Sequence, residues 1–153
     1  GAASHAIDPG QLIHTGGVIN SSDQELVKYS GAWAQTTVSG MAGLFEYNHL
    51  QAPPGQPATC IYHLPVTASG TSKICLMYFP NEKNASNATI KITHGEVEDL
   101  VEWDFQKGDR LGFAVELGLY NFEKDKTASV SISNPGADGF IVADGVGFIK
   151  IDE

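Results

Sequence analysis

The sequence predicts one all-β domain, folded as an antiparallel sandwich or barrel. About ten short runs rich in β-branched and aromatic residues alternate with clusters of Gly, Pro, Asn and Asp. In Thr89–Thr93 and Ser129–Ser133, apolar and polar residues alternate, which is typical of a strand with one buried and one solvated face. Helical periodicity is nearly absent, because only Glu25–Tyr29 resembles a single helical turn.

The predicted strands follow one another along the chain, and we expect the longest to be broken at Gly118. Turn sequences such as Ala52–Gly55, Lys107–Asp109 and Asn134–Gly136 separate them. The strands are predicted at Trp33–Val38, Cys60–Leu64, Lys73–Phe79, Ala88–His94, Val97–Phe105, Leu111–Phe122, Thr127–Ser133, Phe140–Ala143 and Val146–Ile151.

The chain is expected to form one module with one hydrophobic core. Residues 1–17 are predicted to be an N-terminal tail and first strand, and residues 18–153 a single β-sandwich module. The core is predicted to include Val18, Trp33, Cys60, Cys75, Met77, Ile90, Ile92, Val130, Ile132, Val142, Val146 and Phe148.

Composition and charge exclude several classes of function. The chain has 153 residues, of which 42% are hydrophobic and 18% charged, a composition typical of a globular domain. A formal net charge of −9, with the basic residues scattered, disfavours nucleic acid and anionic membranes as partners. No apolar run reaches the roughly 18 residues of a transmembrane helix. Uncharged sugars stay compatible with this composition.

Each of the two cysteines, Cys60 and Cys75, lies in a predicted strand. The favoured interpretation is two small buried hydrophobic side chains, and the alternative is a disulfide between neighbouring strands. Neither cysteine has the Cys/His spacing that is typical of structural zinc.

Sequence motifs for catalysis and metal binding are missing. The five histidines are dispersed, and there is no Gly-x-Ser-x-Gly elbow or phosphate-binding glycine loop. Acidic residues cluster between Glu96 and Asp104, which favours a solvated strand face; the alternative is a glycosidase pair, which needs two carboxylates about 5–10 Å apart in a cleft. We expect no enzyme activity and no cofactor. Metal ligands are not assigned, and no loop motif supports a structural calcium ion.

Two further features leave alternatives open. Amphipathic rings such as Trp33 and Trp103 either belong to the core or stack on the apolar faces of sugar rings. Asn20, Asn84 and Asn87 each begin a glycosylation triplet, a pattern that is frequent by chance.

A series of short motifs, taken in order, resembles a known family over about Val18 to Ile151. The motifs are Asn20–Asp23, Gly31–Trp33, Gly40–Gly43 with Tyr47, Tyr78–Pro80, Asn84–Ala88, His94–Gly95, Leu117–Phe122, Val130–Asn134 and Phe140–Phe148. Together they are similar to the golvesin C-terminal-like domain, also described as the carbohydrate-binding-like domain of xanthan lyases.

The resemblance implies a galactose-binding-like, jelly-roll β-sandwich. It also implies a non-catalytic accessory module of a larger secreted bacterial protein, extracellular or periplasmic, that binds carbohydrate or polysaccharide. The alternative is a structural or docking domain that packs against a neighbouring oxidoreductase or lyase catalytic domain and binds no sugar. The partners are therefore a polysaccharide or that neighbouring catalytic domain, with neither nucleic acid nor membrane.

Ligand binding is assigned to aromatic rings for stacking and to polar side chains for sugar hydroxyls. This hypothesis requires at least two of the rings to be exposed on one face. Asp144 is expected either to cap backbone amides, the favoured interpretation, or to contact a ligand or cation. The predicted ligand-binding residues are Trp33, Tyr47, Asn84, Asn87, His94 and Asp144.

Overall fold

The computed structural model describes residues 6–7, 18–20, 23–37, 48–78, 80–108 and 114–151. These residues form thirteen β-strands, and they contain no helix that is long and apolar enough to cross a membrane. The strands are β1 (Ala6–Ile7), β2 (Val18–Asn20), β3 (Val27–Gly31), β4 (Ala34–Thr37), β5 (Asn48–Ala52), β6 (Ala58–His63), β7 (Gly70–Met77), β8 (Ala88–His94), β9 (Val97–Trp103), β10 (Ala114–Phe122), β11 (Ala128–Ser133), β12 (Ile141–Ala143) and β13 (Gly145–Lys150).

The strands form three sheets in which every paired strand is antiparallel. Sheet I has the order β1-β10-β7-β13-β2, and sheet II has the order β3-β6-β11-β8-β9. A small sheet has the order β12-β5-β4. The non-consecutive neighbours show that the chain crosses repeatedly between the two large sheets, which confirms the predicted jelly-roll sandwich.

The nine predicted strands are present in the structure, with ends shifted by a few residues. The break expected at Gly118 is instead a β-bulge: the register between β10 and β7 shifts between Glu116 and Gly118, and the strand continues. A side chain at this glycine would meet the Tyr120 ring at 3.1 Å, which explains why the bulge has a glycine.

The expected helical turn at Glu25–Tyr29 is wrong, because the turn lies earlier and β3 starts at Val27. Asp23 accepts hydrogen bonds at its Oδ1 from the amides of Glu25 and Leu26, at 2.9 and 3.0 Å. This local capping ends the turn after three residues and releases the chain into a strand.

The core lies between sheets I and II. Nine of the twelve predicted core residues are buried, while Val18, Trp33 and Phe148 are only half-buried. Val18 belongs to β2, the edge strand of sheet I, where one side has no neighbouring strand. Large buried side chains that the prediction omitted include Tyr62, Phe105, Phe122, Ile74 and Leu76.

The predicted solvated face of Ser129–Ser133 is a second correction. Val130 and Ile132 face the core as expected, but Ser129 and Ser131 are also buried. These serines are short, and β11 is the central strand of sheet II with a paired strand on each side.

Cys60 and Cys75 are both free and buried, which confirms the interpretation of two small core-type residues. Cys60 lies in β6 of sheet II and Cys75 in β7 of sheet I, so the two strands are not neighbours and the disulfide alternative is wrong. Burial raises the pKa of each thiol to about 12, which keeps both protonated and unreactive near neutral pH.

Candidate functional site

The structure does not bring the predicted ligand-binding residues into one site. The register of sheet II places Thr89 beside Ser133 at one end and His94 beside Ala128 at the other. We call the end at Thr89 and Ser133 the Asn134 end, because Asn134 directly follows β11 there, and we call the opposite end the His94 end. Asn87 lies at the Asn134 end, far from His94, and Tyr47 lies outside the described residues.

Asn84 and Asn87 hold the segment before β8 in place. Asn84 is buried, donates from its Nδ2 to the carbonyl oxygen of Phe105 at 3.2 Å, and pairs through its backbone with Phe140. Asn87 donates from Nδ2 to the carbonyl of Gly136 at 3.0 Å, and its Oδ1 accepts from the amide of Asp138 at 2.9 Å. Both amides are engaged within the domain, so their role in ligand binding stays a prediction.

The aromatic rings are mostly turned inward. Trp33 is half-buried, and its Nε1–H donates to the carbonyl oxygen of Thr59 at 3.1 Å. Trp103 is also half-buried and donates to the Tyr78 hydroxyl at 3.0 Å. Among the described aromatic residues, Tyr29 on the edge strand β3 is the most exposed, at 53%. Stacking of a sugar on two rings of one face therefore stays a prediction.

Asp144 lies between β12 and β13 and is 2% exposed. Its Oδ1 has no hydrogen-bond partner in the described structure, and the capping of backbone amides by this carboxyl stays a prediction. Burial raises its pKa to about 8, since an ionised carboxylate would lose its hydration there. The contact of this carboxyl with a ligand or cation likewise stays a prediction.

His94 is the predicted residue that reaches a cleft. It ends β8, and its Nε2 lies 2.6 Å from Asp99 Oδ2 on β9. Its Nδ1 lies 3.2 Å from the carbonyl oxygen of Asn121 on β10. The ring also packs edge-on against Tyr120 and Phe122, and it therefore ties sheet II to sheet I.

The cleft beside His94 has a volume of ≈ 700 Å³ and opens to solvent. Two turns form its walls, one between β8 and β9 and the other between β10 and β11. The amide of Gly95 donates to the carbonyl of Thr127 at 2.7 Å and joins these walls. The lining consists of His94, Gly95, Glu96, Val97, Asn121, Glu123, Asp125, Lys126 and Thr127.

The chemistry of this lining suits a polyhydroxylated ligand. Asn121, Glu123, Asp125 and Lys126 are all exposed, and they supply amide, carboxylate and ammonium groups to one space. Such groups hydrogen-bond sugar hydroxyls, and the exposed Val97 adds an apolar surface. The residues of the β10–β11 turn are not predictable from the sequence, because their spacing to His94 matches no motif and only the fold brings them together.

Two other clefts lined by described residues are smaller, at ≈ 260 and ≈ 510 Å³. The cleft of ≈ 260 Å³ lies at the Asn134 end, and its lining includes Gly55, Pro57 and Gly136. Asn134 itself is buried there and its side chain is fully used: Oδ1 accepts from the amide of Ala58 at 2.9 Å, and Nδ2 donates to the carbonyls of Pro53 and Gln56 at 3.0 and 2.7 Å.

Two acidic residues of β9 contact basic side chains of the neighbouring strand β8. Glu98 is paired with Lys91 at 3.2 Å, and Asp99 is held by His94. Glu98 and Glu102 share a strand face but are roughly 13 Å apart along the chain, given a rise of about 3.3 Å per residue. Of the segment 96–104, Glu96 and Val97 line the ≈ 700 Å³ cleft. Among the described residues, no group of three or more acidic, His or Cys side chains is arranged to hold a metal ion.

Fold and cleft together define the class of protein: a jelly-roll β-sandwich domain with an open, polar, ligand-sized cleft at one end of its sheets. The family model of the golvesin C-terminal domain matches residues 17–150. The chain therefore belongs to the golvesin C-terminal domain family, as its motifs predicted.

The solved structures that are similar to this chain include two carbohydrate-active enzymes by name, a xanthan lyase and a galactanase. A Paenibacillus xanthan lyase superposes with a TM-score of 0.78 at 21% identity, over 88% of this chain and 13% of the lyase. The exo-β-1,3-galactanase of Phanerochaete chrysosporium, solved with galactose, superposes with a TM-score of 0.54 at 13% identity, over 86% of this chain and 28% of that enzyme. The chain thus spans a small part of each. No curated protein matches it significantly.

Proposed function

We propose that this domain is a non-catalytic accessory module that binds a polysaccharide at the His94 end. The observation that carries this proposal is the ≈ 700 Å³ cleft, which exposed hydrogen-bonding groups line together with His94, whose ring is held by Asp99 and Asn121. A preorganised lining reduces the entropy lost on binding, which matters for a ligand that is held mainly by hydrogen bonds.

The similar structures support this class of ligand. The lyase is named for xanthan, and the galactanase was solved with galactose. In both, a region with this fold is part of a much longer chain. We infer that the present domain likewise belongs to a larger bacterial protein that is secreted, where it holds a catalytic region near its polymer.

The charge of the cleft favours a neutral glycan. Glu96, Glu123 and Asp125 face Lys126 across the same space, so carboxylates outnumber the ammonium group. An anionic glycan would meet repulsion there, whereas neutral hydroxyls find both donors and acceptors. A neutral β-galactan is therefore the first ligand to test.

The docking alternative lacks support from the described surface. Large exposed apolar side chains are Tyr29, Val97, Leu100 and Leu119. Val97 and Leu100 share strand β9 but point to opposite faces, and the other two lie on β3 and β10. These scattered residues form no shared patch of the kind that marks a protein interface.

The proposal is tested by calorimetric titration with a panel of soluble polysaccharides that includes β-galactan and xanthan. We expect saturable binding of a neutral polymer by the wild type. In Asn121→Ala the dissociation constant should rise about five- to tenfold, which corresponds to the loss of one hydrogen bond. Gln56→Ala, an exposed change beside the smaller cleft at the other end, is the matched control and should bind normally. Equal loss in both variants, or no binding of any polymer by the folded wild type, would refute the proposed site.

A further inference from the structure

A buried carboxyl oxygen, Asp144 Oδ1, has no hydrogen-bond partner in the described structure. Tyr62 is 0% exposed, and the pKa of its hydroxyl is raised first by burial, then by the charges of Cys60 and Asp144, and last by a hydrogen bond with Cys60. Unsatisfied buried polar groups are rare in folded domains, so this carboxyl oxygen requires a physical explanation.

The backbone holds Asp144 in this position from both sides. Ala143 pairs with Leu50 in the small sheet, and Gly145 pairs with both Asn20 and Met77 in sheet I. A Cβ at Gly145 would lie 3.0 Å from the end of Met77 and 3.2 Å from the carbonyl oxygen of Ile19, which shows how closely the strands approach there. Asp144 therefore lies at the point where the chain passes from the small sheet to sheet I, and its carboxyl is buried there.

Among the described residues, no charged group compensates an ionised Asp144. Desolvation is the cause of its raised pKa. The titratable groups that act on this region from β6 are Cys60 and Tyr62, and burial keeps both of them neutral below pH 9. Between pH 5 and 9, Asp144 is thus the group in this cluster that changes its charge.

We propose that Asp144 is a pH-dependent latch between the small sheet and sheet I. When its carboxyl group is protonated, the β12–β13 junction stays closed; when it is ionised, the buried charge weakens that junction. This inference is independent of glycan binding, because Asp144 lies away from the His94 cleft.

The sign of the pH dependence follows from the raised pKa. Below the ordinary aspartate value of 3.8, the carboxyl is protonated in the folded and the unfolded chain, and it does not affect their balance. Between 3.8 and about 8, only the folded chain keeps the proton, so unfolding becomes more favourable by up to tenfold per pH unit. Above pH 8 both states are ionised and the effect levels off.

The test compares denaturant unfolding from pH 5 to pH 9 in wild type, Asp144→Asn and Asp138→Asn. In the wild type, the unfolding equilibrium constant should rise by up to tenfold per pH unit until pH 8. In Asp144→Asn, this rise should be absent. Asp138 is an exposed acid whose pKa is lowered by hydrogen bonds from Ser86, so its variant should keep the wild-type slope over this range. An unchanged slope in Asp144→Asn would overturn the proposal.

A measurement on the wild type covers the case in which Asp144→Asn fails to fold. Carbon NMR of the Asp144 carboxyl should show a midpoint near pH 8, and amide exchange in β12 should accelerate through the same midpoint beyond its intrinsic base catalysis. A carboxyl midpoint below pH 5, or exchange in β12 that follows intrinsic catalysis alone, would equally overturn the latch.

Discussion

The two ends of sheet II use similar polar residues in opposite ways. At the Asn134 end, the side-chain amides of Asn134 and Asn87 are satisfied by backbone groups of neighbouring loops. At the His94 end, Asn121 and Glu123 are exposed along a wide cleft. The comparison teaches that an asparagine indicates ligand binding only when the fold leaves its amide free to bind.

The largest effect is expected from breaking the Asn134 end. Asn134→Ala removes three hydrogen bonds and leaves the amide of Ala58 and two carbonyls without their partner. We expect a loss of about 3 kcal/mol in the free energy of unfolding, measured by urea denaturation. Glycan affinity of the folded variant should be unchanged. A loss below about 1 kcal/mol would show that these loops are held by other contacts.

A mixed effect is expected at His94, which belongs to both the core and the cleft. His94→Ala removes the hydrogen bonds to Asp99 and Asn121 and the ring contacts to Tyr120 and Phe122. We expect about 2 kcal/mol of destabilisation together with weaker glycan binding. Destabilisation without any change in glycan affinity would mean that His94 does not help to position the ligand.

The smallest effect is expected on the open face of the edge strand β9. Leu100 is 71% exposed and lies outside both ends, so Leu100→Ser should change the free energy of unfolding by less than about 0.5 kcal/mol. Its glycan affinity, measured by the same titration, should equal that of wild type. A clear loss of affinity would move the binding surface from the cleft to the outer face of sheet II.

The fold was largely predictable from local patterns, whereas the site was not. The alternation of apolar and polar residues in Thr89–Thr93 and Ser129–Ser133 predicted β8 and β11, because successive side chains of a strand point to opposite faces of the sheet. The burial of Ser131 was not predictable, since it depends on β11 being central in sheet II. The strand order follows from long-range pairing that the linear sequence does not display.

The candidate site shows the same limit. His94 was identified from a motif, but its partner Asn121 lies on another sheet. Asp144 was identified as polar and functional, yet whether its carboxyl faces water or the core depends on how β12 and β13 divide between sheets. Sequence therefore supplied the chemical groups, and only the tertiary structure showed which of them are free to bind.

The central claim is tested most directly by mapping amide chemical shifts while a binding glycan is added. If the glycan binds at the His94 end, the amide chemical-shift changes should concentrate in residues 94–97 and 121–127, the two walls of the ≈ 700 Å³ cleft. Shifts concentrated instead around residues 55–59 and 134–136, the cleft at the opposite end, would contradict it.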